Sequence, residues 1–248
     1  MTGKEVFAKI GGAVRALFAE DGLTCACCGK DLFSDGHFCE KCLEDLPFNL
    51  GFICNKCGRA IGEDYPVCLE CKAHMPAFDA ARSAFLYEGE IVRLIRKFKT
   101  GAKYLADAFA ENMYLHALSD FADADFAVCV PMTAGGEKRR GYNQSAVLAE
   151  RVCSRAGLSF EEGVLVKAKE TPAQKSLSFR ERTENLKGAF RVHERKKCAG
   201  KNILIVDDVL TTAATGSAVA AALKSAGARK IYLLTAASVS FAGKNTVK

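Results

Sequence analysis

The chain has 248 residues, a formal net charge of +6 and a hydrophobic content of 49%. This length allows one large domain and a small one, and the apolar content can fill a sizeable core. No apolar run approaches the roughly 18 residues of a membrane-spanning helix, and charges interrupt the N-terminal segment where a signal peptide would be apolar. We therefore expect a soluble, cytoplasmic protein without a membrane span.

The N-terminal segment, residues 1–22, has apolar residues at helical spacing. Val6, Ile10, Val14 and Leu17 fall on one face of a helix, with charged residues elsewhere. We expect a short amphipathic helix that packs on the domain behind it. The alternative is a helix that binds a membrane surface or a partner protein.

Eight of the twelve cysteines form a duplicated pattern. Each copy has two C-x2-C pairs separated by ten residues, the first two of which are G-(K/R), and the second copy begins 29 residues after the first. In a cytoplasmic protein, this spacing is typical of structural zinc sites in which four thiolates surround Zn²⁺. The sequence thus predicts a small double zinc-ribbon domain over residues 23–76 with two zinc ions. The predicted ligands are Cys25, Cys28, Cys39 and Cys42 in one site and Cys54, Cys57, Cys68 and Cys71 in the other.

The assignment of zinc ligands leaves alternatives open. The two repeats could exchange cysteine pairs, and His37 and His74 are alternative ligands. Cys27 is out of register with the pattern and is interpreted as a bystander. Because each site of four thiolates and one Zn²⁺ adds −2, the formal charge of +6 falls to about +2. Overall charge is therefore a weak indication of nucleic-acid binding.

Strand and helix patterns alternate from residue 77 onward. This alternation predicts an α/β domain with a mainly parallel sheet over residues 77–248. The first helix of this domain carries a basic band, which is interpreted as a solvated face or, alternatively, as a phosphate or nucleic-acid contact. The band consists of Arg93, Arg96, Lys97, Lys99 and Lys103. The predicted strands cover residues 80–87, 126–131, 164–168, 202–208 and 231–236, and the first two predicted helices cover residues 90–99 and 104–118.

The segment from Asn202 to Gly216 is predicted to contain the functional site. Four aliphatic residues, two acids, a hydroxyl-rich loop and an alanine-rich run predict a buried strand, an acidic strand end, a tight loop and a helix. Ligands of parallel sheets lie beyond the carboxyl ends of the strands, where a helix N-terminus offers N–H groups to an anion. Asp207 and Asp208 would face a sugar and Mg²⁺. The alternative is an ordinary strand-to-helix turn. The predicted phosphate loop consists of Thr211, Thr212, Ala213, Ala214 and Thr215.

Two polar segments supply further cations. Residues 132–144 are predicted to form a flexible loop after a buried strand, and its cations suit a pyrophosphate group. A basic loop unconnected to catalysis is the alternative. Residues 171–190 have few apolar anchors and are a candidate mobile lid that contains Lys175. The cations of the predicted loop are Lys138, Arg139 and Arg140.

The order of strand, two acids, threonine-rich loop and helix resembles the signature of the type I phosphoribosyltransferases, which bind 5-phosphoribosyl-1-pyrophosphate (PRPP). That family usually has glycine at one or both positions occupied here by Ala213 and Ala214. Alanine in a left-handed backbone would cost about 1–2 kcal/mol and would crowd the phosphate. With the cysteine repeats and the segments 130–144 and 174–190, the chain is similar to the ComF competence-protein family. That family joins a cysteine-rich double zinc finger to a phosphoribosyltransferase-like domain.

The resemblance implies a type I phosphoribosyltransferase fold with a PRPP site. In the enzyme interpretation, a phosphoribosyl group moves from PRPP to an unidentified nitrogen nucleophile, and pyrophosphate leaves. Asp207 and Asp208 would hold the ribose and Mg²⁺, and Lys175 would meet the developing charge. The loop would hold the 5′-phosphate, and the cations of residues 138–140 would hold the pyrophosphate. The alternative is a non-catalytic module of the competence machinery that binds single-stranded DNA or assembles with a helicase-like partner.

Overall fold

The computed structural model describes residues 24–33, 36–169 and 185–241. The predicted N-terminal helix, Lys175 and most of the predicted lid lie outside these residues. The chain divides into two compact units between Asp45 and Leu46. Within the described residues, no helix combines the length and the apolar character needed to cross a membrane.

The first unit contains the first cysteine repeat. A tight turn brings the Cys25 N–H to the Lys30 carbonyl at 2.7 Å and the Gly29 N–H to the Cys25 carbonyl at 2.8 Å. Gly29 has a φ of +73°, which glycine adopts without steric cost. A short helix, α1, follows at Glu40–Asp45.

The second unit is built on four parallel strands in the order β1-β6-β5-β2. The strands β3 and β4 form a separate antiparallel pair. The predicted α/β architecture with a mainly parallel sheet is therefore confirmed. The strands are β1 (Ala80–Leu86), β2 (Phe126–Cys129), β3 (Leu165–Lys167), β4 (Phe190–Val192), β5 (Asn202–Leu210) and β6 (Lys230–Ser238).

The helices of the second unit pack apolar faces on the sheet. In the helix at Gly89–Lys99, the residues Ile91, Leu94, Ile95 and Phe98 are buried, which is the spacing of one helical face. The helices predicted at residues 90–99 and 104–118 are confirmed, and Cys129 is a buried core residue. The helices are α2 (Leu69–Ala73), α3 (Gly89–Lys99), α4 (Leu105–Ala117), α5 (Ala134–Arg140), α6 (Gln144–Ala156), α7 (Arg195–Cys198) and α8 (Ala214–Ser225), with 3-10 turns at Ser119–Phe121 and Glu162–Val164.

The second cysteine repeat packs directly on the sheet. The Ala81 N–H of β1 donates to the Lys56 carbonyl at 2.9 Å, and Asn49 Nδ2 donates to the Gly58 carbonyl at 2.8 Å. A Cβ at Gly58 would lie 2.2 Å from the Ala81 carbonyl oxygen, so only glycine allows this approach. The four cysteines of this repeat belong to the same buried cluster as Phe78 and residues of the sheet. The second repeat is thus part of the core of the α/β unit.

Two details of the sequence prediction were wrong. Residues 134–140, predicted as part of a flexible loop, form the helix α5, because the Thr133 side chain accepts the Gly136 N–H at its start and Gly141 ends it with a φ of +85°. The strand end, predicted at the two acids of residues 207–208, lies two residues later, at Leu210. Pairing with β6 from Asn202↔Lys230 to Leu210↔Ser238 extends it past both acids.

Candidate functional site

Asp207 and Asp208 lie within β5 and have different partners. Successive side chains of a strand point to opposite faces, so the two carboxylates leave β5 on opposite sides. Ser145 Oγ, on the first turn of α6, donates to Asp207 Oδ1 at 2.6 Å. Lys99 Nζ, at the end of α3, pairs with Asp208 Oδ2 at 2.9 Å. Each acid is therefore held by a different helix.

The electrostatics of this pair favour a bound cation. Burial, followed by the negative charge of Asp208, raises the pKa of Asp207 to about 7, although the Ser145 hydroxyl opposes this shift. A carboxyl group with this pKa is partly protonated at neutral pH. A divalent cation would favour its ionised form, and carboxylate oxygens are ligands that Mg²⁺ accepts. The residues therefore fit a magnesium ion.

The loop after β5 contains a strained backbone position. Ala213 has a φ of +63° and is the one non-glycine residue with a left-handed backbone in the part of the chain that the structure describes. It is the N-cap of α8, its carbonyl accepts the Ser217 N–H at 2.8 Å, and it has no side chain that could cap the helix. Early N–H groups of α8 therefore lack a side-chain acceptor from the cap residue and can donate to an anion.

A cavity lies at this helix start. It is lined by Asp207, the loop, and residues of β6. Of the five residues predicted to form the phosphate loop, the structure places four on the cavity wall. These lining residues are Thr211, Ala213, Ala214 and Thr215, and the cavity also contacts Gly216 and Thr235.

The predicted pyrophosphate-binding cations lie near the same sheet edge. They form the last turn of α5, which follows β2, and β2 pairs with β5 through Cys129↔Val206. All three side chains are exposed. Arg140 Nη1 also donates to Gln144 Oε1 at 3.0 Å, which ties the end of α5 to the start of α6. The predicted cations are Lys138, Arg139 and Arg140.

Lys99 was not assigned to the site from the sequence, which placed it in the basic band without a specific role. The structure divides that band. Lys99 pairs with Asp208, whereas Lys103 Nζ lies 4.7 Å from the ring centre of Tyr142. The Tyr142 hydroxyl in turn donates to the Phe98 carbonyl. Nothing local in the sequence indicates the Lys99–Asp208 contact, because it joins α3 to β5 through the fold.

The cysteines form two clusters, one from each repeat. In each cluster the ligand atoms lie within 4.8 Å of one another, and each cluster consists of cysteines alone. Tetrahedral Zn²⁺ with Zn–S distances of about 2.3 Å places sulfur atoms about 3.8 Å apart. Cys28 Sγ and Cys39 Sγ are 3.8 Å apart, as are Cys57 Sγ and Cys68 Sγ. The donor set and its dimensions fit two structural zinc ions held within the repeats.

Arg59, immediately after the Gly58 turn, joins the second cysteine cluster to the loop after β5. Its side chain is 1% exposed. Its Nε donates to Cys57 Sγ at 3.2 Å, and its Nη1 donates to Glu70 Oε2 at 3.1 Å and to the Thr211 carbonyl at 2.7 Å. Burial lowers the pKa of Arg59, but the Cys57 sulfur and the Glu70 carboxylate raise it by more, so Arg59 is charged. The sequence pattern contains this residue as the K/R of the repeat but did not indicate a role.

Comparison with known proteins finds two domain families in the chain. A double zinc ribbon domain matches residues 13–75, and a phosphoribosyl transferase domain matches residues 143–245. The chain is 29% identical over 187 residues to DNA utilization protein YhgH of Salmonella typhi, covering 73% of this chain and 82% of that protein. It is 24% identical over 202 residues to Competence protein F of Haemophilus influenzae, covering 79% and 86%. Competence protein ComFC of Bacillus subtilis is 26% identical over 190 residues, covering 73% and 75%.

The fold and the two kinds of site define a protein that joins a double zinc ribbon to a phosphoribosyltransferase domain. The chain is a homologue of the proteins named competence protein F, ComFC and DNA utilization protein YhgH, as its resemblance to the ComF family implied.

Proposed function

We propose that the phosphoribosyltransferase domain binds PRPP with Mg²⁺ and transfers its phosphoribosyl group to a nitrogen nucleophile. The observation that carries this proposal is the sequence of features along one sheet edge. Two acids in β5 are followed by a left-handed residue and then by a helix start without a side-chain cap. An acid pair suits a ribose diol, and free N–H groups suit a phosphate.

Each part of PRPP has a matching group. The first-turn N–H groups of α8 and the hydroxyls of Thr211, Thr212 and Thr215 bind the 5′-phosphate. Asp207 and Asp208 orient the ribose and Mg²⁺. The exposed cations of α5 neutralise the leaving pyrophosphate. Bound Mg²⁺ supplies further neutralisation of the pyrophosphate charge. Lys175, which lies outside the described residues, is assigned to the charge that develops during transfer.

The experiment that tests this proposal is a calorimetric titration of PRPP in the presence of Mg²⁺. Replacing Asp207 and Asp208 together with Asn should abolish magnesium-dependent binding while the thermal unfolding transition remains cooperative. Asp120→Asn is the matched control, because Asp120 pairs with Arg82 on the surface rather than with the acid pair. Equal PRPP affinity in the wild type and the double variant would refute the assignment.

A second candidate function is non-catalytic binding of single-stranded DNA. It is favoured by the three exposed cations of α5 and by the names of the relatives, which refer to competence and DNA utilization. In this interpretation the protein acts in the cytoplasm during DNA uptake and assembles with a helicase-like partner. Backbone contacts release counterions, so the affinity should fall steeply with salt and depend little on base sequence.

This second candidate can be tested with two charge-matched triple variants. Replacing Lys138, Arg139 and Arg140 with Gln should flatten the salt dependence by about two units if three phosphates are contacted. The control replaces the three cations of α7, residues 195–197, with Gln and should leave the salt dependence unchanged. Displacement of DNA by PRPP would place both ligands in one site. No binding at low ionic strength would exclude the DNA interpretation.

A further inference from the structure

Arg59 makes three polar contacts from a site that solvent does not reach. A buried guanidinium with a thiolate, a carboxylate and a carbonyl around it is held in one orientation, because its planar donors have fixed directions. The ring of Phe241 covers one face of the guanidinium, with its centre 4.0 Å from Arg59 Cζ. Arg59 therefore connects the second cysteine cluster rigidly to the loop that follows β5.

The residue it contacts beyond β5 is the first residue of the proposed phosphate loop. The Thr211 carbonyl accepts from Arg59 Nη1 at 2.7 Å, across 152 residues of sequence. Ala213 must keep its left-handed backbone two residues later for α8 to begin where it does. Hydrogen bonds from a charged donor are stronger than neutral ones, so this contact resists rotation of the Thr211 peptide. The conformation of the loop depends on an anchor outside the phosphoribosyltransferase motif.

The other end of this connection is a predicted zinc ligand. Arg59 Nε donates to Cys57 Sγ, and groups that bond to a ligand fix its orientation and tune its affinity for the metal. Without zinc, the four sulfur atoms lose the ion that holds them together, and the Cys57 sulfur no longer fixes Arg59. A change at the metal is thereby passed to the Thr211 carbonyl through one side chain.

We propose that Arg59 is a positioning residue that links zinc at the second cysteine site to the geometry of the phosphate loop. This inference rests on the proposed function for its effect on PRPP, but its structural part does not. Arg59 holds the Thr211 peptide, zinc holds Arg59 through Cys57, and the loop is ready for a 5′-phosphate when both are in place. Zinc at this site then acts on ligand binding as well as on folding.

The repeat supplies a matched pair of variants. Lys30 occupies the same place in the first repeat as Arg59 does in the second, and it is exposed. Arg59→Lys thus installs a residue that the same turn accepts elsewhere in this chain, while removing the planar set of donors. Lys30→Arg is the reciprocal control. Both variants should retain about two zinc ions per chain, as the wild type does.

The first measurement is hydrogen exchange of a peptide spanning residues 209–216, without ligand. The amides of this peptide should exchange at least about ten-fold faster in Arg59→Lys than in the wild type, because the free energy of local opening of the loop is lower in the variant. Lys30→Arg should match the wild type. The PRPP affinity of Arg59→Lys should fall by about ten-fold or more. Wild-type exchange together with wild-type affinity in Arg59→Lys would overturn the proposal.

The second measurement compares the zinc affinity of the wild type with and without PRPP, and then repeats the comparison in Arg59→Lys. Because coupling between two sites is reciprocal, saturating PRPP should raise the equilibrium zinc affinity of one of the two sites in a chelator titration of the wild type. In Arg59→Lys this increase should disappear. If PRPP does not bind the wild type, the proposed function fails, and the hydrogen-exchange comparison alone decides the inference. If PRPP binds but leaves both zinc affinities unchanged, the proposed link is wrong while the proposed function stands.

Discussion

Ala213→Gly should stabilise the protein relative to Ala214→Gly. The two alanines are adjacent and almost equally buried, at 6% and 4% exposure, but only Ala213 has a left-handed backbone. Ala214 is the first residue of α8. An alanine in the left-handed region carries a steric penalty between its Cβ and the following carbonyl oxygen, and glycine does not.

The magnitude follows from what the two variants share. Each loses one buried methyl group, and each gains the same backbone freedom in the unfolded chain, so both costs cancel in the comparison. The remaining difference is the left-handed penalty of about 1–2 kcal/mol. Ala214→Gly should destabilise the protein by up to about 1 kcal/mol, as glycine does within a helix. Ala213→Gly should leave the free energy of unfolding unchanged or raise it slightly.

The assay is urea unfolding followed by circular dichroism, with both variants at equal zinc content and pH. The difference in the free energy of unfolding between the variants is the measured quantity, and the slope against urea should be the same for both. Equal stability, or a less stable Ala213→Gly, would refute the claim that Ala213 stores strain. If the strain also crowds the phosphate, Ala213→Gly should bind PRPP more tightly than the wild type.

Two further predictions concern the acid pair and the metal. Folding raises the pKa of Asp207 from 3.8 to about 7, so the native state binds the extra proton between these values and loses stability as pH rises through them. Asparagine does not titrate in this range, so the urea midpoint of Asp207→Asn, measured relative to that of the ligand-free wild type, should rise between pH 6 and pH 8. A difference in midpoint that stays constant with pH would contradict the assignment. Elemental analysis of protein purified without added metal should find about two zinc ions per chain, and Cys28→Ser and Cys57→Ser should each lose about one. One zinc ion in the wild type, or an iron–sulfur spectrum, would contradict the two-site assignment.

The sequence predicted those features that depend on local patterns. Cysteine pairs at fixed spacing predict a zinc cluster because two ligands separated by two residues reach the same ion from one turn. Aliphatic runs predicted the strands of the parallel sheet, and the family resemblance directed attention to the alanines that replace glycine. The structure then separates the two, since Ala213 alone has the left-handed backbone.

The remaining features depend on contacts between distant segments, or on neighbouring residues that favour different local structures. The bonds of Arg59 to Thr211 and of Lys99 to Asp208 join residues far apart in sequence, and no periodicity encodes them. The error over α5 had a local cause. Gly135 and Gly136 favour a loop, but the Thr133 cap and the Gly141 end stabilise a helix around them. The acidic strand was predicted too short because its pairing with β6, rather than its aliphatic run, determines its length.

The position of β1 has a consequence for biosynthesis. Its partner in the sheet is β6, and Ala80 pairs with Tyr232. At typical rates of synthesis, the ribosome needs roughly 7–30 s to make the intervening chain, and β1 lacks its neighbouring strand β6 during that time. The second cysteine repeat precedes β1 and is complete, so it can bind zinc and offer the Lys56 carbonyl to Ala81 before β6 exists. Zinc starvation should therefore reduce the yield of newly made protein, whereas molecules that folded beforehand should persist.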